Sequence, residues 1–308
     1  MTQLGSRLKM LADGGELSGK LKSKVLNDIN LRRTLKVLAR APLIVSPSDK
    51  SLLDGFPRVE KFCPSCRMDV DGREIECKTT RVEMWRFILP LALGLCNIDA
   101  NPGRRLVGIA GPPGGGKSVF CSLLKRVIDV LLGSDDAVAM MSLDGFHRSN
   151  EWLAEHGLQE LKGRPETFDV RSFVNVLREV SKGDSIDVPA YDRELHEPVR
   201  SRVPVRPEHS IALVEGNFLL FGGEEWASVA DYLDVSLFLD TPFEAIKSRI
   251  IQRHIRGGRD PEDARRHFER VDRPNYELCA STRERADLIL ERDSEMRYVN
   301  LYCPKEAP

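Results

Sequence analysis

One octapeptide constrains this chain more than any other stretch. Gly111-Pro112-Pro113-Gly114-Gly115-Gly116-Lys117-Ser118 fits G-x-x-x-x-G-K-[ST], follows the apolar run 106–110 and opens the amphipathic stretch 118–132. Glycines let a backbone turn its N–H groups inward around a phosphate. The helix behind them adds its N-terminal donors and the positive end of its dipole. Gly111, Gly114, Gly115, Gly116, Lys117, Ser118 and Val119 are therefore candidate nucleotide-binding residues. Lys117 would reach the β- and γ-phosphates, and Ser118 would offer a hydroxyl to Mg²⁺. The motif implies a nucleoside triphosphate and magnesium, not a reaction. A guanine-reading Asn-Lys-x-Asp motif is missing, since the chain has no Asn-Lys pair, so ATP is the expected nucleotide.

The pattern around the motif alternates. Residues 104–110, 137–143, 210–215, 235–240 and 286–291 read as buried strands, with helical periodicity between them. The helix at 118–132 stops at Gly133, one at 170–182 follows Asp169 as N-cap, and a third starts at Pro242. Such alternation implies right-handed crossovers and an α/β fold of P-loop type: a mostly parallel, five-stranded sheet with helices on both faces. Asn101-Pro102-Gly103 marks a boundary between an N-terminal extension, 1–100, and a domain at 101–308.

Composition excludes several classes. With 46 basic and 47 acidic residues among 308, the chain carries a formal charge of −1, which argues against a general nucleic-acid coat. The longest apolar run, 87–96, contains Pro90 and is too short for a bilayer, which needs about 20 residues. Seven cysteines without an export signal point to a reducing cytoplasm. Residues 1–40 hold nine Lys/Arg against three Asp/Glu, which reads as a solvated basic helix or, alternatively, an RNA- or protein-binding arm. Residues 41–80 are turn-rich, with a small hairpin expected around Asp71-Gly72, and 81–95 reads as helical apart from Pro90. Cys63-Pro64-Ser65-Cys66, with Cys77, resembles half of a zinc knuckle; free thiols are the competing reading.

After the strand at 137–143 stands Asp144-Gly145-Phe146-His147-Arg148. A carboxylate at the C-terminal end of a parallel strand lies where open α/β sheets bind ligands. Asp144 could take a proton from an attacking hydroxyl. Then come Lys162-Gly163-x-Pro165-Glu166-x-Phe168-Asp169, Pro189-x-Tyr191-Asp192 and Val214-Glu215-Gly216. This collinear series resembles the P-loop kinases grouped around phosphoribulokinase, uridine kinase and bacterial pantothenate kinase, over residues 104–292. The nearest likeness is to its nucleoside kinase-like or fructokinase-like branch. The resemblance implies transfer of the γ-phosphoryl of ATP to a hydroxyl of a small metabolite, with Asp144 as catalytic base and Glu215 beside Mg²⁺. His147, Arg148, Lys162, Tyr191, Asp192 and Arg193 are candidates for reading the acceptor, for which a sugar or polyol is expected. Nucleoside, pantothenate-like and glycerate-like acceptors are the alternatives, and a nucleotide-driven regulator is the alternative of another class. A homodimer would be unsurprising.

Further on, Arg249, Arg253 and Arg256 share one helical face. Gly257-Gly258 breaks that helix, and Asp260-Pro261-Glu262-Asp263 restarts it with an N-cap and a first-turn proline. This is the pattern of a helical lid that closes over ATP, with Arg253 placed to stabilise charge on the transferring phosphate and Arg256 second.

Overall fold

The computed structural model describes residues 65–70, 73–96, 103–223 and 225–304. The basic segment 1–40 and Cys63 lie outside them. Five strands stand within a residue or two of their expected positions: β3 (Arg105–Ala110), β4 (Val138–Ser142), β7 (Ile211–Gly216), β8 (Val235–Asp240) and β9 (Leu288–Arg292). They are parallel, and a sixth strand, β10 (Tyr298–Tyr302), adds to β9 antiparallel, giving the order β10-β9-β8-β3-β7-β4.

β3 and β7 are buried at every position, as parallel strands covered on both faces must be. Alternation sends their side chains to two cores. Val107, Ile109, Leu213 and Leu237 face α2 (Lys117–Leu132) in one; Leu106, Ala110, Val214 and Phe238 meet α4 (Val170–Ser181) in the other. The capping residues read from sequence hold. Asp169 accepts the Ser172 N–H, and Gly133 ends α2 in the left-handed region.

Ahead of the sheet, β1 (Ser65–Val70) and β2 (Arg73–Lys78) form the expected hairpin, pairing Val70 with Arg73. Residues 81–96 are helical throughout, with a π-helical turn, Met84–Ile88, running into α1 (Leu89–Cys96). Pro90 has no N–H and its ring crowds the preceding turn, and widening that turn relieves both. Every residue of α1 is buried, and its leucines share a core with β3, β7 and α2. A boundary at residue 101 thus divides elements that one core unites.

One hairpin went unanticipated: β5 (Ile186–Asp192) with β6 (Glu197–Val205). It crosses the end of β4 so closely that a Cβ on Gly145 would lie 2.4 Å from the Pro189 carbonyl oxygen. That approach is what brings Tyr191 to Asp144.

Candidate active site

The site is assembled at the C-terminal ends of three neighbouring strands, β3, β7 and β4. Beyond β3 the chain turns through Gly111, Gly114 (φ 72°) and Gly116 (φ 83°) before entering α2. The last two are left-handed positions that glycine adopts without strain. N–H groups of Lys117, Ser118 and Val119 sit in the first turn of α2, where no helical carbonyl can reach them. Lys117 Nζ donates to the Pro112 carbonyl at 3.1 Å and to Asn217 Oδ1 at 2.6 Å. Ser118 Oγ donates to both oxygens of the buried Glu215 carboxylate, at 2.8 and 3.0 Å. Ser118 and Glu215 are hard oxygen donors facing one another, a set that fits Mg²⁺.

Asp144 follows β4, with its N–H donated to Ser142 Oγ. His147 donates from Nδ1 to the Asp144 carbonyl at 2.8 Å. Its ring lies between Phe168 and Tyr191, at centroid distances of 4.1 and 5.1 Å. Burial pushes the His147 pKa down, against the Asp144 charge that raises it. The Tyr191 hydroxyl is pushed up to about 12, first by burial and then by the carboxylates of Asp144 and Glu197, so it stays a neutral donor. Lys162 Nζ sits 5.5 Å over the Tyr191 ring and bonds Asn150 and the His196 carbonyl. Arg193 is close enough to oppose the Tyr191 shift. Arg148 pairs with Asp169 at 3.0 Å and lies over Trp152.

Asp192 is engaged differently. One oxygen accepts the N–H groups of Glu194 and Leu195, and the other pairs with Arg202. Those bonds, led by the one from Leu195, hold its carboxyl at about 2. It shapes the β5–β6 turn that carries Tyr191.

Arg249, Arg253 and Arg256 lie on α5 (Phe243–Arg256). Ile246 and Ile250 of the same helix pack on the P-loop, where a Cβ on Gly114 would fall 2.7 Å from Ile250 Cγ1. The pKa of Arg249 is lowered by desolvation and then by the charges of Arg292, Arg253 and Arg256. Four guanidinium charges are therefore felt together at Arg249, next to the residue seated on the phosphate loop. Arg292 is one the sequence did not disclose. It donates to the Gly115 carbonyl at 2.9 Å, and Thr241 Oγ1 donates to the same oxygen.

The model of the phosphoribulokinase / uridine kinase family matches residues 106–298, more than half of the chain. The chain belongs to that family. As a member it is a kinase that phosphorylates a hydroxyl group, and the family uses ATP with Mg²⁺. It is 35% identical over 237 residues to the uncharacterized protein YggC of Escherichia coli (strain K12), covering 75% of this chain and 97% of that one. Pantothenate kinase of Enterococcus faecalis is 28% identical over 223 residues, 65% of this chain and 72% of the relative. Among solved structures, a candidate fructose transport system kinase from Silicibacter sp. TM1040 superposes with a TM-score of 0.62 at 29% identity, covering 66% and 98%. D-glycerate 3-kinase from Cryptococcus neoformans shares the fold, with a TM-score of 0.54 at 18% identity over 70% and 94%.

Zinc at Cys63, Cys66 and Cys77 finds no support in this family member. Cys66 and Cys77 are register partners across β1 and β2. Cys96, the other thiol in reach of sequence reasoning, is buried in α1 with its pKa pushed up to about 12 by burial. Among the described residues no cysteine joins a group of three metal-ligating side chains. None of the described helices is long and apolar enough to cross a membrane.

Proposed function

We propose that this kinase phosphorylates a hydroxyl of a sugar, polyol or related small metabolite, with Asp144 as the base. The observation that carries the reading is the alignment of three strand ends. The phosphate loop follows β3, Glu215 closes β7 beside Ser118, and Asp144 follows β4. Phosphoryl transfer asks little covalent chemistry of a protein, so positioning and charge stabilisation dominate it. Asp144 orients the acceptor hydroxyl and takes its proton as the new P–O bond forms and the bond from the γ-phosphorus to the β–γ bridging oxygen breaks, with ADP as the leaving group. Lys117 leaves Asn217 for the phosphate oxygens, and Arg253 on α5 meets charge on the transferring group. Mg²⁺, held through Ser118 and Glu215, would neutralise charge on the β- and γ-phosphates.

The acceptor pocket supports a small polar substrate. Phe168, His147 and Tyr191 form a row of tilted rings beside Asp144, with interplanar angles of 40° and 53°. Lys162 and Tyr191 supply donors, and Arg148 Nε is buried with no hydrogen-bond partner among the described residues. The candidate fructose transport system kinase favours a sugar; pantothenate kinase and D-glycerate 3-kinase keep a hydroxy acid as the alternative. A coupled ADP-release screen across sugars, polyols, nucleosides and hydroxy acids decides the class. We expect saturable turnover with a sugar or polyol. Turnover confined to nucleosides or hydroxy acids would overturn the acceptor assignment and leave the kinase intact.

A further inference from the structure

Beyond the phosphate loop, α5 and α6 (Pro261–His267) carry a second cluster of ligand-type side chains that neither nucleotide nor acceptor chemistry uses. His254 stands in the last turn of α5, His267 ends α6, and Asp272 closes the π-helical turn Phe268–Asp272. One ligand atom from each lies within 4.8 Å of the other two. His254 Nε2 is 2.8 Å from Asp272 Oδ2, and the two imidazoles meet edge to face with centroids 4.8 Å apart. Asp272 is buried, and the histidines are half-buried.

A second observation separates this cluster from an ordinary His–Asp pair. His267 Nδ1 is buried and has no hydrogen-bond partner among the described residues. Buried polar atoms nearly always find one. The His254–Asp272 bond satisfies two of the three groups and leaves His267 Nδ1 without one.

The donor set has a definite chemistry. Two imidazole nitrogens and one carboxylate oxygen, with a fourth position for water, suit a zinc-class ion and not Mg²⁺, which prefers oxygen alone. The neighbouring cations are compensated: Arg259 pairs with Asp263 at 2.9 Å, and Arg270 pairs with Glu160. Tetrahedral bonds of about 2.0–2.1 Å set donors roughly 3.3 Å apart, so around an ion the widest separation would close by at most about 1.5 Å, and His254 Nε2 and Asp272 Oδ2, now 2.8 Å apart, would open by about 0.5 Å.

We propose that His254, His267 and Asp272 bind one divalent transition-metal ion. The ion ties the end of α5 to the end of α6 across the Gly257-Gly258 corner, so that the two helices move as one body. Full-length protein, stripped with chelator and desalted, is titrated with Co²⁺ in the absence of nucleotide and followed by visible absorption. We expect one Co²⁺ per chain, with d–d bands of a low-coordinate nitrogen–oxygen site and no thiolate charge-transfer band. Zn²⁺ displaces it and raises the melting temperature. His267→Ala and Asp272→Asn each weaken Co²⁺ binding by more than the roughly 10–100-fold that loss of an outer hydrogen-bond partner costs. Circular dichroism of each metal-free variant checks its fold, and His267→Gln replaces His267→Ala if that chain does not fold. The absence of saturable binding, a thiolate band, or a complex unchanged in the variants would each overturn the proposal.

Discussion

At His147, burial and charge pull in opposite directions. Desolvation between Phe168 and Tyr191 lowers the pKa, the neighbouring Asp144 raises it, and burial wins. A histidine with a depressed folded pKa stabilises the fold above its unfolded value, ordinarily 6.5, and loses that contribution as the pH falls below it. The unfolded chain takes up the proton first. His147→Asn should therefore flatten the fall in melting temperature between about pH 7 and 5; an identical slope in wild type and variant would contradict the assignment. His147 and Asp144 were legible in sequence because they are neighbours after a strand. Arg292 and Asn217 were not. They reach the phosphate loop from positions 177 and 100 residues away from the partners they bond, and no local pattern announces such a meeting.

Among the elements, α5 joins the phosphate loop to the proposed lid. Its apolar face, Ile246 and Ile250, is seated on Gly114, while Arg249 feels the charges of Arg253, Arg256 and Arg292. If Arg253 meets the transferring phosphate, Arg253→Ala should lower kcat by about 10²-fold or more and change the KM for ATP far less. Steady-state kinetics check it, and an unchanged kcat with a raised KM would make Arg253 a ground-state binder instead. The helix, the Asp260 cap of α6 and the corner at Gly258 (φ 97°) follow from spacing, capping residues and glycine. The β5–β6 hairpin does not. Pro189, Pro198 and Pro204 interrupt its alternation, and its pairing shifts register between Val188 and Ala190.

Across the whole molecule, the two cores explain why the sheet is preceded by a helix with no polar face. α1 is apolar all round because it is enclosed, with Leu91 only 1% exposed among residues of the sheet and α2. Leu91→Ala should cost about 2–5 kcal/mol of the stability of the entire kinase fold. Chemical denaturation would then show one cooperative transition shifted as a unit, whereas loss of a separate early transition would make α1 an appendage. The parallel sheet was readable from alternation of strands and helices. The sharing of one core between residues 84–96 and the sheet was not, because periodicity reports that a face is buried and not against what. What the molecule as a whole is claimed to do rests on Asp144. Asp144→Asn keeps the side chain's size and removes its basicity. Acceptor-dependent ADP release should fall by about 10²–10⁴-fold while ATP affinity, measured by equilibrium binding, is retained. Turnover near the wild-type rate in that variant would contradict the account.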